Sequence, residues 1–169
     1  MKKLITIHTK RVFLLILSLF VMTVFYSCKK SAEKASEKMI EKSIGDDASV
    51  DIDDEKVTIK TGEGTFTSDA TIKIWPKDIP DEIPQFDHGT IVNVTTQNMD
   101  DSNNWVVIFE EVPGSAIEKY KADLKSKGFK INFVTTAIAG GHLAAEKDNI
   151  IVSVMSGEGN AAVSVGVKK

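Results

Sequence analysis

Two histidines beyond the N-terminal segment are the side chains best suited to acid–base or metal chemistry. His88 follows Asp87, and His142 lies four residues before Glu146. On a strand, residues four apart share a face but lie about 13 Å apart, whereas a zinc ion needs its ligands at about 2 Å. His142 and Glu146 alone therefore cannot hold one ion. We interpret both histidines as solvated loop residues. A small hydrolase or metal-dependent enzyme that uses His88 or His142 is the alternative.

Six acidic residues between positions 46 and 55 could in principle bind calcium. They are Asp46, Asp47, Asp51, Asp53, Asp54 and Glu55. An EF-hand loop requires a glycine at its sixth position and a glutamate at its twelfth, but counting from Asp46 places Asp51 and Val57 there. We therefore interpret the cluster as turn and edge charges that discourage aggregation between strands. Weak calcium binding is the alternative.

The other reactive side chains form no catalytic pattern. The sequence has no Gly-x-Ser-x-Gly turn that would expose a nucleophilic serine. Gly140-Gly141 and Gly157-Glu158-Gly159 are not followed by a predicted helix, which a phosphate site requires, so both predict hairpin turns. Trp75 and Trp105 are candidates for a surface that stacks a sugar or a peptide, with burial in the sheet as the alternative. We expect a non-catalytic protein without a cofactor or a metal ion.

The elements that carry these residues are preceded by an N-terminal segment in which basic and apolar residues are clearly separated. The basic residues Lys2, Lys3, Lys10 and Arg11 precede a mostly apolar run, Val12 to Tyr26, and the pair Ser27-Cys28. A basic start, an apolar stretch and a small residue before the cleavage point are typical of a secretory signal. The fifteen residues of the run are fewer than the about 20 that a membrane-spanning helix needs. Residues 1–27 are therefore predicted to be a signal peptide.

Cys28, the single cysteine of the chain, ends this segment. The run Phe25-Tyr26-Ser27-Cys28 resembles the lipobox of bacterial lipoproteins. The resemblance implies cleavage before Cys28 and acylation, for example with palmitate, which would anchor the protein to the inner or outer membrane of a bacterial cell envelope. Two or more acyl chains anchor stably, since each buried methylene contributes about 0.8 kcal/mol. A retained membrane-spanning helix and an ordinary secretory signal with an incidental cysteine are the alternatives.

The part of the chain beyond the signal is acidic. It has 142 residues, with 17 basic and 24 acidic side chains, a formal charge of −7 and no arginine. Its length fits one domain with a small appendage. An acidic chain without arginine lacks the basic footprint of a nucleic-acid-binding protein, so we expect no nucleic-acid partner. With Cys28 used for lipid attachment, no cysteine remains for a disulfide, a thiolate metal site or a thiol nucleophile.

Three segments are predicted before the main domain. Residues 28–45 form a lipid-anchored helical spacer, because small and apolar residues recur at helical spacing over Ser31 to Ser43. Residues 46–75 form a small β-meander, whose last strand is Ala70 to Trp75 and whose covered face carries Ile72, Ile74 and Phe66. Residues 76–88 form an extended connector, because its three prolines each remove a backbone donor.

Residues 89–169 are predicted to form the main domain, with its elements in the order ββαββββ. Alternating apolar and polar residues indicate six strands. Ser115 and Glu118 predict a capping box at the start of the one helix, which ends at Gly128. The predicted fold class is α+β: an antiparallel sheet with one main helix packed on a face, preceded by the small meander and the helical spacer.

The stretch Trp75-Pro76-Lys77-Asp78-Ile79-Pro80, followed by two strands and a helix with Tyr120-Lys121 and Gly128-Phe129, resembles small domains of bacterial secreted lipoproteins of uncharacterised function. The resemblance covers residues 50–135 and implies the fold and the location, but no activity and no site residues. We expect a lipid-anchored, non-catalytic envelope protein that binds an envelope protein or polysaccharide through its exposed sheet or through the connector. A structural spacer or assembly subunit is a further alternative.

Overall fold

A computed structural model of the protein describes residues 33–44, 48–137 and 140–169. The chain divides into two compact units, Met1–Asp46 and Asp47–Lys169. In the first unit the described residues form one helix, α1 (33–44), at the position of the predicted spacer helix. The predicted signal peptide, Cys28 and the acidic residues Asp46 and Asp47 lie outside the described residues.

The described part of the second unit consists of nine strands and one helix. In chain order these are β1 (Ser49–Asp53), β2 (Lys56–Thr61), β3 (Gly64–Asp69), β4 (Thr90–Met99), β5 (Ser102–Glu110), α2 (Ala116–Ser126), β6 (Lys130–Ala137), β7 (Gly140–Lys147), β8 (Ile150–Gly157) and β9 (Asn160–Lys168). All strands belong to one sheet in the order β1-β2-β3-β4-β5-β9-β8-β7-β6, and every neighbouring pair is antiparallel. α2 therefore links β5 in the middle of the sheet to β6 at one edge.

The predicted α+β class is confirmed, but the sheet does not have the ββαββββ order. The strands expected as a small separate meander continue the same sheet, because β3 pairs with β4, for example with Ser68 beside Thr95. The order along the chain is therefore βββββαββββ. The connector separates β3 from β4 in sequence, so local patterns carry no information about this pairing.

Residues 70–75, predicted as the last strand of the meander, form no strand. The buried carboxylate of Asp69 accepts hydrogen bonds from the backbone N–H and the hydroxyl of Thr71, which turns the chain out of the sheet. Ile72 packs against the core as expected. Ile74 and Phe66, expected on the same covered face, are exposed instead.

One face of the sheet carries the hydrophobic core. Alternate residues of the central strands point to it, such as Val107 on β5, Val163 on β9 and Val154 on β8, and all three are fully buried. Two elements cover this face: α2 with Ile117, Tyr120 and Leu124, and the connector with Ile79, Ile83 and Phe86. Because side chains alternate along a strand, the intervening residues point to the opposite side of the sheet, which we call the outer face.

Local sequence sets the ends of several elements. Glu158 and Gly159 both have positive φ, 52° and 80°, as a type I′ hairpin turn between β8 and β9 requires. Gly128 has a φ of 86° and follows α2 as predicted. The predicted hairpin turn at Gly140-Gly141 is wrong, because these two residues begin β7.

The predicted capping box of α2 is also wrong. Ser115 has right-handed helical backbone angles, and its side chain makes no capping hydrogen bond. The chain already turns before Ser115, since the N–H of Ala116 donates to the carbonyl oxygen of Pro113 at 3.0 Å. Glu118 pairs instead with Lys121 one turn further along the helix.

Candidate functional site

A shallow trough runs along β9 on the outer face. Its floor consists of the small residues Ala162, Ser164 and Gly166, which alternate with the buried valines of the same strand. On one side lie Val106 and Ile108 of β5, and on the other side lie Ile151, Ser153 and Met155 of β8. Neighbouring strands are about 4.8 Å apart, so the two walls are separated by roughly 10 Å. We call these residues together the β9 trough.

The walls of the β9 trough hold large apolar side chains that water can reach. Ile151 is 52% exposed and Met155 is 63% exposed. Two depressions lie in the trough: one of about 380 Å³ near Val106 and Ser153, and one of about 410 Å³ near Ile108 and Met155. Exposed apolar residues grouped around a concave floor are typical of interaction sites rather than of ordinary solvated sheet surface.

Polar groups border the β9 trough on the side of β7. His142 lies on β7 beside Met155, with its Nε2 atom 3.2 Å from the hydroxyl oxygen of Ser153 and its ring 5.1 Å from that of Phe133. Glu146, on the same face, has a pKa below its ordinary value because the side chain of Asn132 hydrogen-bonds to it and Lys130 pairs with it. The trough therefore has exposed apolar residues toward its two ends, Ile151 and Met155, the facing serines Ser153 and Ser164 between them, and a polar border on the side of β7.

The connector forms a second concave surface on the covered side of the sheet. A cavity of about 690 Å³ is lined by Trp75, the connector prolines, Lys77 and Lys127 at the end of α2. Two side-chain hydrogen bonds hold the connector in place. The indole N–H of Trp105 donates to Asp78 Oδ2 at 2.8 Å, and the hydroxyl of Tyr120 donates to the carbonyl oxygen of Pro84 at 2.9 Å.

Tyr120 is the most enclosed of these anchors. Its side chain is fully buried, and its ring meets the ring of Phe86 edge-on at 5.1 Å. Burial raises the pKa of Tyr120 well above its ordinary value, and the nearby carboxylate of Asp123 raises it further. The hydroxyl therefore stays protonated well into the alkaline range, and it donates the hydrogen bond that holds the connector on the sheet.

The two tryptophans proposed as ligand-stacking residues have different environments. Trp105 is 3% exposed and lies in the core, with its indole N–H bonded to Asp78. Trp75 is half-buried, packs partly against the core and lines the connector cavity. The two rings therefore do not form a common stacking surface.

The structure does not bring the two histidines together. His142 is on a strand rather than in a loop, and it points to the outer face. His88 lies two residues before β4, and its ring meets that of Phe86 edge-on at 5.3 Å. The expectation that His88 is solvated is wrong, because its side chain is only 16% exposed. From β4 to β7 there are four strand spacings, or roughly 19 Å. A shared ion or proton relay between His88 and His142 is incompatible with that separation.

The candidate metal ligands do not converge on one point. His88 lies 3.6 Å from the carboxylate of Asp87 through Nδ1. Asp51 and Asp53 lie on the edge strand β1, and Asp53 accepts a hydrogen bond from the next backbone N–H. Within the described ranges, no group of three or more His, Cys, Asp and Glu side chains is arranged to hold a metal ion.

The residues of the β9 trough were not predicted as a site from the sequence. The available signal was the run of small residues at every second position of β9, Ala162, Ser164 and Gly166, opposite valines that had to be buried. The walls gave no such signal, because residues 150–155 are apolar except for Ser153, a pattern that is also typical of a strand buried on both faces.

Comparisons with known proteins give no further assignment. No protein-family model matches the chain, and no significant match was found among curated proteins or among solved structures. In the part of the chain that the structure describes, neither helix is long and apolar enough to cross a membrane.

Proposed function

We propose that the protein is a lipid-anchored, non-catalytic module of a bacterial cell envelope that binds an envelope protein through the β9 trough. The observation that carries the binding role is the trough itself: a small-residue floor between walls whose side chains Ile151 and Met155 remain more than half exposed. A partner that covered these side chains would remove apolar surface from water, which contributes about 25 cal/mol per Å² of area buried.

The proposed anchor rests on the N-terminal sequence alone. The basic start, the short apolar run and the single Cys28 together support cleavage before Cys28 and lipid attachment to it. Lys29 and Lys30 would then lie next to the headgroups and add about 1 kcal/mol each on an anionic surface. The membrane, inner or outer, would thus be the first partner of the protein.

Site-specific photo-crosslinking in cells tests the binding role. A photoreactive amino acid at Ser164, on the trough floor, should give a discrete crosslinked band, and Ile151→Lys should weaken that band because it places a charge on the wall. The same photoreactive residue at Lys119, which is exposed on α2, is the matched control and should not give that band. Identical crosslinking from Ser164 and Lys119, or a band unaffected by Ile151→Lys, would contradict the proposal.

The connector cavity supports a second candidate function, the binding of an envelope polysaccharide. A half-buried indole beside a cavity of about 690 Å³ suits stacking on a sugar ring. Because Trp105 is buried, a polysaccharide fragment should change mainly the fluorescence of Trp75, and Trp75→Phe should abolish the change. An unchanged response in Trp75→Phe, or no response to any envelope glycan, would exclude this candidate.

A further inference from the structure

The two edges of the sheet differ in how they are protected. An exposed edge strand offers unpaired backbone donors and acceptors to another chain, and proteins normally block such edges with charge or shortness. β1 follows this rule, since it has five residues with Asp51 and Asp53 among them. β6 does not, since it has eight residues, of which all but Ile131 are exposed.

The central part of β6 is uncharged and strongly β-forming. Residues 131–137 contain no charged side chain, no proline and no glycine. Phe133 is 48% exposed and Val134 is 37% exposed, although Val134 lies beside the buried Leu143 of β7 on the core side of the sheet. Val134 is exposed because β6 is the last of the described strands at this edge, so an added strand would extend the core over it.

We propose that a second copy of this chain pairs with β6, strand against strand and antiparallel, about a two-fold axis at Thr135. The inference goes beyond the proposed function and does not depend on the β9 trough. A bulge in β6 determines where the two-fold axis lies. The pairing of β6 with β7 is irregular between Ile131 and Phe133, so residues 133–137 form the regular run, and Thr135 is its middle residue. Pairing this run with itself places Thr135 opposite Thr135, Val134 opposite Thr136, and Phe133 opposite Ala137.

Charge favours self-pairing at this edge over self-pairing at the other. Each pair across the β6 two-fold axis joins apolar or hydroxyl side chains, which stabilise cross-strand contacts. Pairing β1 with the β1 strand of a second copy would place Asp51 directly opposite Asp51 or an acidic neighbour. Like charges that face each other across two strands are destabilising. Five residues span only about 17 Å, so the contact belongs to the small, weak class of interfaces.

Cysteine crosslinking in the full chain tests this pairing and its register. Thr135→Cys would place the two sulfur-bearing residues about 4.5–5.5 Å apart between Cα atoms, within the range that a disulfide spans. Ala137→Cys would place them four residues apart along the strands, about 13 Å, which is out of range. Mild oxidation of cells should therefore give a covalent dimer with Thr135→Cys and little with Ala137→Cys. The unmutated chain, whose only cysteine is Cys28, gives the background.

Charged substitutions at positions 134 and 136 of β6 provide the matched control. Adding Val134→Lys and Thr136→Lys to Thr135→Cys places lysines opposite lysines and should lower crosslinking roughly fivefold or more. Adding Val134→Lys and Thr136→Glu places opposite charges in the same two pairs and should restore it. A dimer yield equal at positions 135 and 137, no product above the background, or no recovery with the Lys–Glu pair would overturn the proposal. A covalent product whose mass is not twice that of the chain would also overturn it, in favour of a foreign strand at this edge.

Discussion

Replacing Tyr120 with phenylalanine tests whether one hydroxyl group holds the connector against the sheet. The substitution removes a single oxygen atom from a fully buried side chain. It leaves the ring in place against Phe86 but deprives the carbonyl oxygen of Pro84 of its donor at 2.9 Å. Loss of one partner from a buried hydrogen bond costs about 1–3 kcal/mol. Because Pro84 is only half-buried, water can partly replace the hydroxyl, and we expect about 1–2 kcal/mol.

Urea unfolding followed by tryptophan fluorescence measures this cost, because Trp105 is buried in the folded protein. Tyr120→Phe should lower the unfolding midpoint without changing the dependence of the unfolding free energy on urea. Tyr120→Ala is the matched reference and should cost about 3–5 kcal/mol, because it also empties the space of the ring. If Tyr120→Phe were within about 0.3 kcal/mol of the unmutated chain, the hydroxyl would not be an anchor and the reasoning would be refuted.

Three further predictions concern conformation and pH. Gly89→Ala should cost about 1–3 kcal/mol in urea unfolding, because φ at Gly89 is 125° and a Cβ atom would lie 2.5 Å from a backbone oxygen of β5; an unchanged midpoint would disprove it. The hydrogen bond from the Thr71 side chain keeps the pKa of Asp69 below its ordinary value, so this stabilisation should be present above about pH 4 and disappear as the pH falls through the lowered pKa. Asp69→Asn should remove that part of the acid dependence, and an unaltered profile would count against it. The raised pKa of Tyr120 should make stability fall above about pH 10. The phenolate absorbance of Tyr120, measured as the difference between the unmutated chain and Tyr120→Phe, should appear only on unfolding, and its appearance in the folded protein near pH 10 would contradict this.

Local sequence patterns predicted the elements whose determinants are local. The strands β8 and β9 and the turn between them follow from alternating valines and from Glu158-Gly159, which accept the left-handed backbone angles of a tight hairpin. The end of α2 follows from Gly128 in the same way. The prolines of the connector predicted an extended segment, but residues 76–83 form two turns, in which the N–H groups of Ile79 and Ile83 donate to the carbonyl oxygens of Pro76 and Pro80.

The features that sequence patterns missed depend on contacts between distant residues. The pairing of β3 with β4 spans the whole connector, and the bond from Trp105 to Asp78 joins residues 27 positions apart. The strand predicted over residues 70–75 is a local exception, because the carboxylate of Asp69 accepts a hydrogen bond from Thr71, two residues further on, and the chain turns out of the sheet. The β9 trough was missed because the exposure of its walls depends on which face of the sheet α2 and the connector cover.

The claim that the protein works as a membrane-tethered module is tested most directly by the mass of its N-terminal peptide after purification from bacterial membranes. The account predicts a peptide that begins at Cys28 and carries the mass of a lipid on that residue. A peptide that still contains Phe25 to Ser27, or one with an unmodified thiol at Cys28, would contradict it.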